Sequence, residues 1–398
     1  MKKIKCSVFL MIILAFSFSL FSAENDLEFN RKLYTLSDNW AARYEIVKEC
    51  YGASQPEVLN EFFYEVLVDL QTDAKNLPTV TDQQFWDNTA RIVCESLGKG
   101  KFLEAADVMW KIYPIAPSNE LKTIILMAFG DMNAVNFNDH IVHILETLNM
   151  ETGKDKQNAE MLAGGAIYAL DILGQAESYR ALFYAANGWY SNAVKKQADA
   201  ALENLYKKIG SSVTEQINLL MVDPSVTLLM KQTALKRALE LDLPASDIAS
   251  IARNALAQSQ GTVGVSADKN LRYQVSTLAL TAMIDFKDTS VESVPYLEEA
   301  VKDTYGLDER IYAVRALGVN GSPEAVRVLS DLVNSINEKA FQQLFRRDVE
   351  EDLLYETITA LGQAGGEDAQ KALSSIIAID FYSAGIKRAA EEQLKNIM

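Results

Sequence analysis

The stretch Ile311-Tyr312-Ala313-Val314-Arg315-Ala316-Leu317-Gly318-Val319-Asn320-Gly321-Ser322-Pro323-Glu324-Ala325-Val326-Arg327-Val328-Leu329 carries the pattern that decides the fold. Ala313, Ala316 and Leu317 fall at i, i+3 and i+4, one face of a first helix. Gly318 follows at once. A helix commonly ends in a left-handed residue that glycine adopts at little cost, so the first helix is expected to stop there. Ser322 suits an N-cap, Pro323 the first helical position and Glu324 the positive end of the helix dipole. Ala325, Val328, Leu329 and Leu332 then supply the apolar stripe of a second helix.

The same order returns downstream. Ala360, Leu361, Gly362, Gly365, Ala369 and Leu373 repeat Ala316, Leu317, Gly318, Gly321, Ala325 and Leu329. Internal repeats of this kind point to stacked units, and the template extends upstream. Counting about seven, ten, eleven and fourteen residues beyond a helix-ending glycine finds core slots of the second helix. After Gly52 these are Leu59, Phe62, Phe63 and Val66; after Gly98, Ala105, Val108, Met109 and Ile112. After Gly130 they are Phe137, His140, Ile141 and Ile144; after Gly174, Ala181, Tyr184, Ala185 and Gly188. The gap between Gly174 and Gly318 has room for about three more hairpins with the glycine replaced. Helices are expected there over Met230–Leu241, Ser246–Gln258, Leu271–Ile284 and Ser293–Lys302, with loops at Leu243-Pro244 and Gly261–Asp268. A last single helix, Ile386 to Leu394, closes the series.

The pattern Arg310, Ala316-Leu317-Gly318, Gly321, Ala325, Leu329 resembles the HEAT-like repeat group, including the repeats of phycobilisome lyase subunits, and is clearest over residues 305–395. The resemblance implies an all-α fold, an α-α superhelix or α-solenoid of stacked antiparallel helix pairs, with protein partners held on its exposed faces. The repeat pattern specifies packing and carries no catalytic residue, so no lyase activity is carried over.

Composition agrees with helices. Of 398 residues, 49% are hydrophobic and only 8 are prolines, so few breakers interrupt a long apolar pattern. Lys2, Lys3 and Lys5 precede an uncharged apolar run, Val8 to Phe21, followed by Ser22, Ala23 and the acidic Glu24. That order reads as a secretory signal peptide over residues 1–23, too short in its apolar part for the ~20 residues of a bilayer span. Residues 24–398 are then the solenoid, exported to the periplasm or secreted. The 38 basic and 54 acidic residues give −16, and loss of three lysines with the leader makes −19. Such a surface repels phosphate backbones, which excludes nucleic acid as the expected partner.

Few side chains stand out for chemistry. His140 and His143 are the only histidines; the template puts His140 in a core slot, so no metal site is expected. Cys50 and Cys94 align with Ala316 and Val314, core slots on neighbouring first helices, and are expected as buried free thiols rather than a disulfide. No nucleophile elbow, phosphate loop or His-Glu-x-x-His occurs. The densest aromatic stretch holds Phe183, Tyr184, Trp189 and Tyr190. Phe183, Trp189 and Tyr190 are the binding candidates, set against a core role between hairpins. The expected function is a non-enzymatic protein-binding scaffold or adaptor of the cell envelope, with no cofactor. The alternatives are an enzyme or enzyme subunit using groove carboxylates, or a binder of cell-wall glycan or another small ligand.

Overall fold

The computed structural model describes residues 27–151, 155–261 and 269–397. The expected leader, residues 1–23, and most of the expected 261–268 loop lie outside the described residues. Among the described residues every regular element is a helix. They form two compact units, one through Gly210 and one from Ser211.

The first unit holds α1 (27–35), α2 (Trp40–Ala53), α3 (Pro56–Asp73), α4 (Val80–Lys99), α5 (Ala106–Ile112) and α6 (Asn119–Asp131). It continues with α7 (Asn138–Met150), α8 (Lys156–Leu173), α9 (Tyr179–Asn187) and α10 (Asn192–Ile209). Among the even helices, α2 packs on α4, α4 on α6, α6 on α8 and α8 on α10, and α3 on α5 and α7 on α9 make a second layer. Caps define several starts: Asn39, Thr79 and Ser118 accept backbone N–H bonds from Ala42, Asp82 and Leu121, each satisfying a donor the helix leaves free. The core slots read after Gly52 and Gly98 are all buried. Trp86, Phe63, Phe129 and Met109 are the bulk of this core, each such side chain contributing about 1.5–3 kcal/mol on burial.

The second unit holds α11 (Ser212–Val222), α12 (Leu228–Glu240), α13 (Ala245–Gly261), α14 (Lys269–Asp285) and α15 (Val294–Ala300). It ends with α16 (Leu307–Asn320), α17 (Pro323–Phe341), α18 (Arg347–Ala364), α19 (Glu367–Ile377) and α20 (Ala384–Ile397). Again the even helices stack on one another, as do α11, α13, α15, α17 and α19. The four helices expected between Met230 and Lys302 are present with ends shifted by a few residues. Ser322 caps α17 through the Ala325 N–H, with Pro323 in the first turn. Each unit is thus an α-solenoid of antiparallel helix pairs.

The repeating glycine has a different job from the one its position suggested. Gly52, Gly98, Gly130, Gly318 and Gly362 lie in the last turn of their helices, one or two residues before the final helical residue, and none of them takes the left-handed conformation that ends a helix. A Cβ on Gly98 would lie 2.8 Å from the Ala128 Cβ, one on Gly130 2.9 Å from the Ala169 Cα, and one on Gly318 2.8 Å from the Ala360 Cα. These glycines let consecutive even helices approach closely. The left-handed residues come a few positions later. Gly174, Gly321 and Gly365 have φ of 61°, 62° and 71°, and their N–H groups bond to the carbonyls of Leu170, Leu317 and Leu361. Gly174 therefore matches Gly321, and Asp171 stands where Gly318 does. Moving that copy's register by three residues puts Ser178, Ala181, Leu182 and Ala185 in the core slots, and all four are buried. The turns after α4, α6 and α14 close on left-handed Lys101, Asn133 and Lys287. Their following residues, Phe102, Ala134 and Asp288, bond back to Leu97, Phe129 and Met283, the Schellman arrangement. By the same bonds Ile284 occupies the glycine position in α14.

Candidate functional site

The most distinctive polar site lies in the second unit, where the stack of odd helices is interrupted. Helix α15 has 7 residues, whereas α13 has 17 and α17 has 19. Beyond the end of α15 the chain turns through residues 301–306 and leaves a notch beside α17. Val301, Val328, Leu332 and Ile336 supply its apolar lining; its charges are Asp303, Arg310 and Lys339, with Glu298, Lys302 and Asp331 around them.

Arg310, on the first turns of α16, is only 4% exposed. Its Nε donates to the Val301 carbonyl at 2.9 Å and its Nη1 meets Asp303 Oδ1 at 2.8 Å. Lys339, near the end of α17, donates to the other Asp303 oxygen at 3.1 Å and to Glu350 at 3.3 Å. Glu350 is buried and also accepts the Arg346 backbone N–H at 2.6 Å. Two cations thus converge on one carboxylate whose side chain is 64% exposed. Partial burial alone would raise the Asp303 pKa; the Lys339 hydrogen bond and the charges of Arg310, Lys339 and Arg346 outweigh it and hold the pKa below the ordinary value. Such an arrangement holds Asp303 in its charged carboxylate form.

Other buried carboxylates are held one at a time. Asp87 accepts from the Ser118 hydroxyl at 2.7 Å and pairs with Arg91 at 2.6 Å. Asp288 accepts from the Ser293 hydroxyl and from the Ser290 N–H at 3.1 Å. Glu309 meets Arg272 through two bonds of 2.9 and 2.8 Å. No two of Asp87, Asp288, Glu309 and Glu350 share a partner. Asp69, on α3, has its pKa raised by partial desolvation and by neighbouring Asp73 and Glu65, while Arg43 works against the rise.

The aromatic candidates sit in the first unit. Phe183 is fully buried in α9 and Tyr190 is 3% exposed. Trp189 is half-buried, stacks on Tyr190 at 4.2 Å between ring centroids, and donates to the Leu148 carbonyl at 3.3 Å. Tyr184 is half-buried rather than in a core slot, as the corrected register of α9 requires.

His140 departs from its expected place. The α7 core is Asn138, Ile141, Leu145 and Leu148, so of the slots counted from Gly130 only Ile141 is fully buried. The turn is no longer than the one after Gly98, and α7 begins eight residues after Gly130 as α5 does after Gly98. His140 lies one residue, about 100° of rotation, off the buried stripe of Ile141, Leu145 and Leu148. His140 is consequently exposed and stacks on Trp110 at 4.6 Å, while Tyr113 stacks on Trp110 at 5.4 Å. His143 is exposed too, and among the described residues no group of three or more His, Cys, Asp or Glu side chains could hold a metal ion. Cys50 and Cys94 are free and buried. Burial pushes the Cys50 thiol up to about 11.

The sequence reading singled out neither the Trp110 stack nor the Asp303 clasp. Arg310 had been visible as part of the repeat pattern, but a charged residue at a packing slot was itself the available signal. No helix among the described residues is long and apolar enough to cross a membrane. No protein-family model matches the chain, and no curated protein matches it.

Proposed function

We propose that this chain is an exported, non-enzymatic scaffold or adaptor of the cell envelope, periplasmic or secreted, that binds protein. The observation that carries the reading is the repeated stacking of helix pairs within each unit. Stacking consumes the apolar stripes and leaves the outer helix faces and turns as the available surface, which suits extended protein partners. Exposed apolar side chains add support. Phe341, the last residue of α17, and Leu344, on the turn that follows, are 74% and 62% exposed, and the ring centroid of Phe345 in that turn lies 5.5 Å from that of Phe381 in the turn before α20. Exposed apolar clusters of this kind mark interaction surfaces. The separate pairing of the buried carboxylates favours a structural role for them over shared acid–base work. Export rests on the lysines, apolar run and small residues of the first 23 positions. The finer likeness to the repeats of phycobilisome lyase subunits rests on the residue pattern of 305–395 and belongs to the same proposal.

Crosslinking in intact cells, with probes at outward positions such as Phe341 and Leu344, tests the reading. Repeated capture of the same protein is expected. A saturable small ligand with no reproducible protein partner would overturn it. Mass analysis of the purified chain is expected to find a mature terminus near Glu24, and an intact Met1 segment would contradict export by cleavage.

A further inference from the structure

We propose that the notch beside α17 is a carboxylate-binding site that Asp303 occupies from within the chain, and that an acidic ligand takes Asp303's place between Arg310 and Lys339. This goes beyond the scaffold reading, because a free carboxylic acid satisfies the same two cations as an acidic side chain of a protein.

The two cations are fixed independently of Asp303. Arg310 keeps its bond to the Val301 carbonyl, and Lys339 keeps Glu350. Glu350 is in turn anchored by the Arg346 N–H. The group they share is carried differently. Asp303 lies in the non-helical turn 301–306, and its side chain is largely exposed. It can swing out without breaking a helix.

Energetics favour exchange over vacancy. Arg310 is almost fully buried, and a buried cation stripped of its counter-charge is strongly disfavoured. Replacing one carboxylate by another keeps the charge compensated and the paired hydrogen bonds intact. The neighbouring Val301, Val328, Leu332 and Ile336 offer apolar contact to the carbon skeleton of the incoming acid. The site therefore selects carboxylates that carry an apolar stem over small inorganic anions.

Asp303→Ala removes the internal occupant and makes the proposal testable on the full mature chain. Thermal unfolding of D303A is compared in chloride, acetate and butyrate at equal ionic strength. Calorimetry then measures binding of a capped tetraglutamate peptide to the wild type and to D303A. The expected result is a melting temperature lowered in chloride and recovered by acetate, more fully by butyrate. The peptide, if a protein segment is the natural occupant, binds D303A at least about tenfold more tightly than the wild type, a difference of about 1.4 kcal/mol. Recovery by the free acids without peptide binding assigns the site to a small carboxylic acid. Adding Lys339→Met to D303A is expected to abolish both responses while the protein stays folded by circular dichroism. Equal melting of D303A in all three salts, with no peptide binding, would overturn the proposal. So would responses that survive in the D303A/K339M protein.

Discussion

Gly318 and Gly52 look alike in the sequence and sit in opposite environments. A Cβ at Gly318 meets backbone and side chain of Ala360, whereas one at Gly52 meets nothing within 4 Å. Gly318→Ala is therefore expected to destabilise the chain by roughly 1–3 kcal/mol through overpacking. Gly52→Ala should instead stabilise it by about 0.5–1 kcal/mol, because alanine is the better helix former. Urea midpoints of the two variants check both signs. Ser322→Ala should cost about 1 kcal/mol, since the Ala325 N–H loses its cap. Much of this scale was legible in the sequence. Ser322, Pro323 and the core leucines announced themselves through spacing alone. The glycines were found, but a helix-ending residue and a close-contact residue have the same sequence signature three positions apart. The left-handed Lys101 and Lys287 carry no signature, because their conformation is imposed by the bond that closes the turn, whereas Asn133 is of a type that favours it.

At the scale of elements, the clasp ties the 301–306 turn to the end of α17 and the start of α18. Its pH dependence follows from Asp303, whose folded pKa lies below its unfolded value of about 3.8. A depressed carboxylate pKa contributes stability in full above the unfolded pKa and loses it as pH falls through the folded pKa. Local hydrogen exchange in residues 301–306 and 342–350 should accordingly rise below pH 4, and D303A should lack that acid step; an unchanged acid profile in D303A would refute the assignment. Helix α20 is the last even helix and packs on α18 and α19. Its outer side carries Arg388, Glu391, Glu392 and Lys395, none of them buried. Removing residues 384–398 should expose α18 and α19 and increase binding of an apolar dye. Helix positions were readable from period and punctuation even where Asp171 or Ile284 replaces the glycine. The short length of α15, and with it the notch, was not: Ser293–Lys302 reads as one helix, whereas its first residue lies in a 3-10 turn and the helix ends at Ala300.

For the molecule as a whole, the proposed function predicts how a partner contacts it. A scaffold of stacked helix pairs engages protein through many shallow contacts spread over successive pairs, whereas an enzyme or small-ligand binder concentrates its contacts in one place. The contacts of Arg310 and Lys339 with Asp303 join residues 7 and 36 positions apart, and no periodic pattern in the sequence brings them together. Hydrogen exchange across the whole chain, with and without the protein captured by crosslinking, separates the alternatives most directly. The scaffold account predicts protection along outward turns and helix faces of several consecutive hairpins in one unit. Protection confined to a single pocket, with the remaining hairpins unchanged, would contradict it.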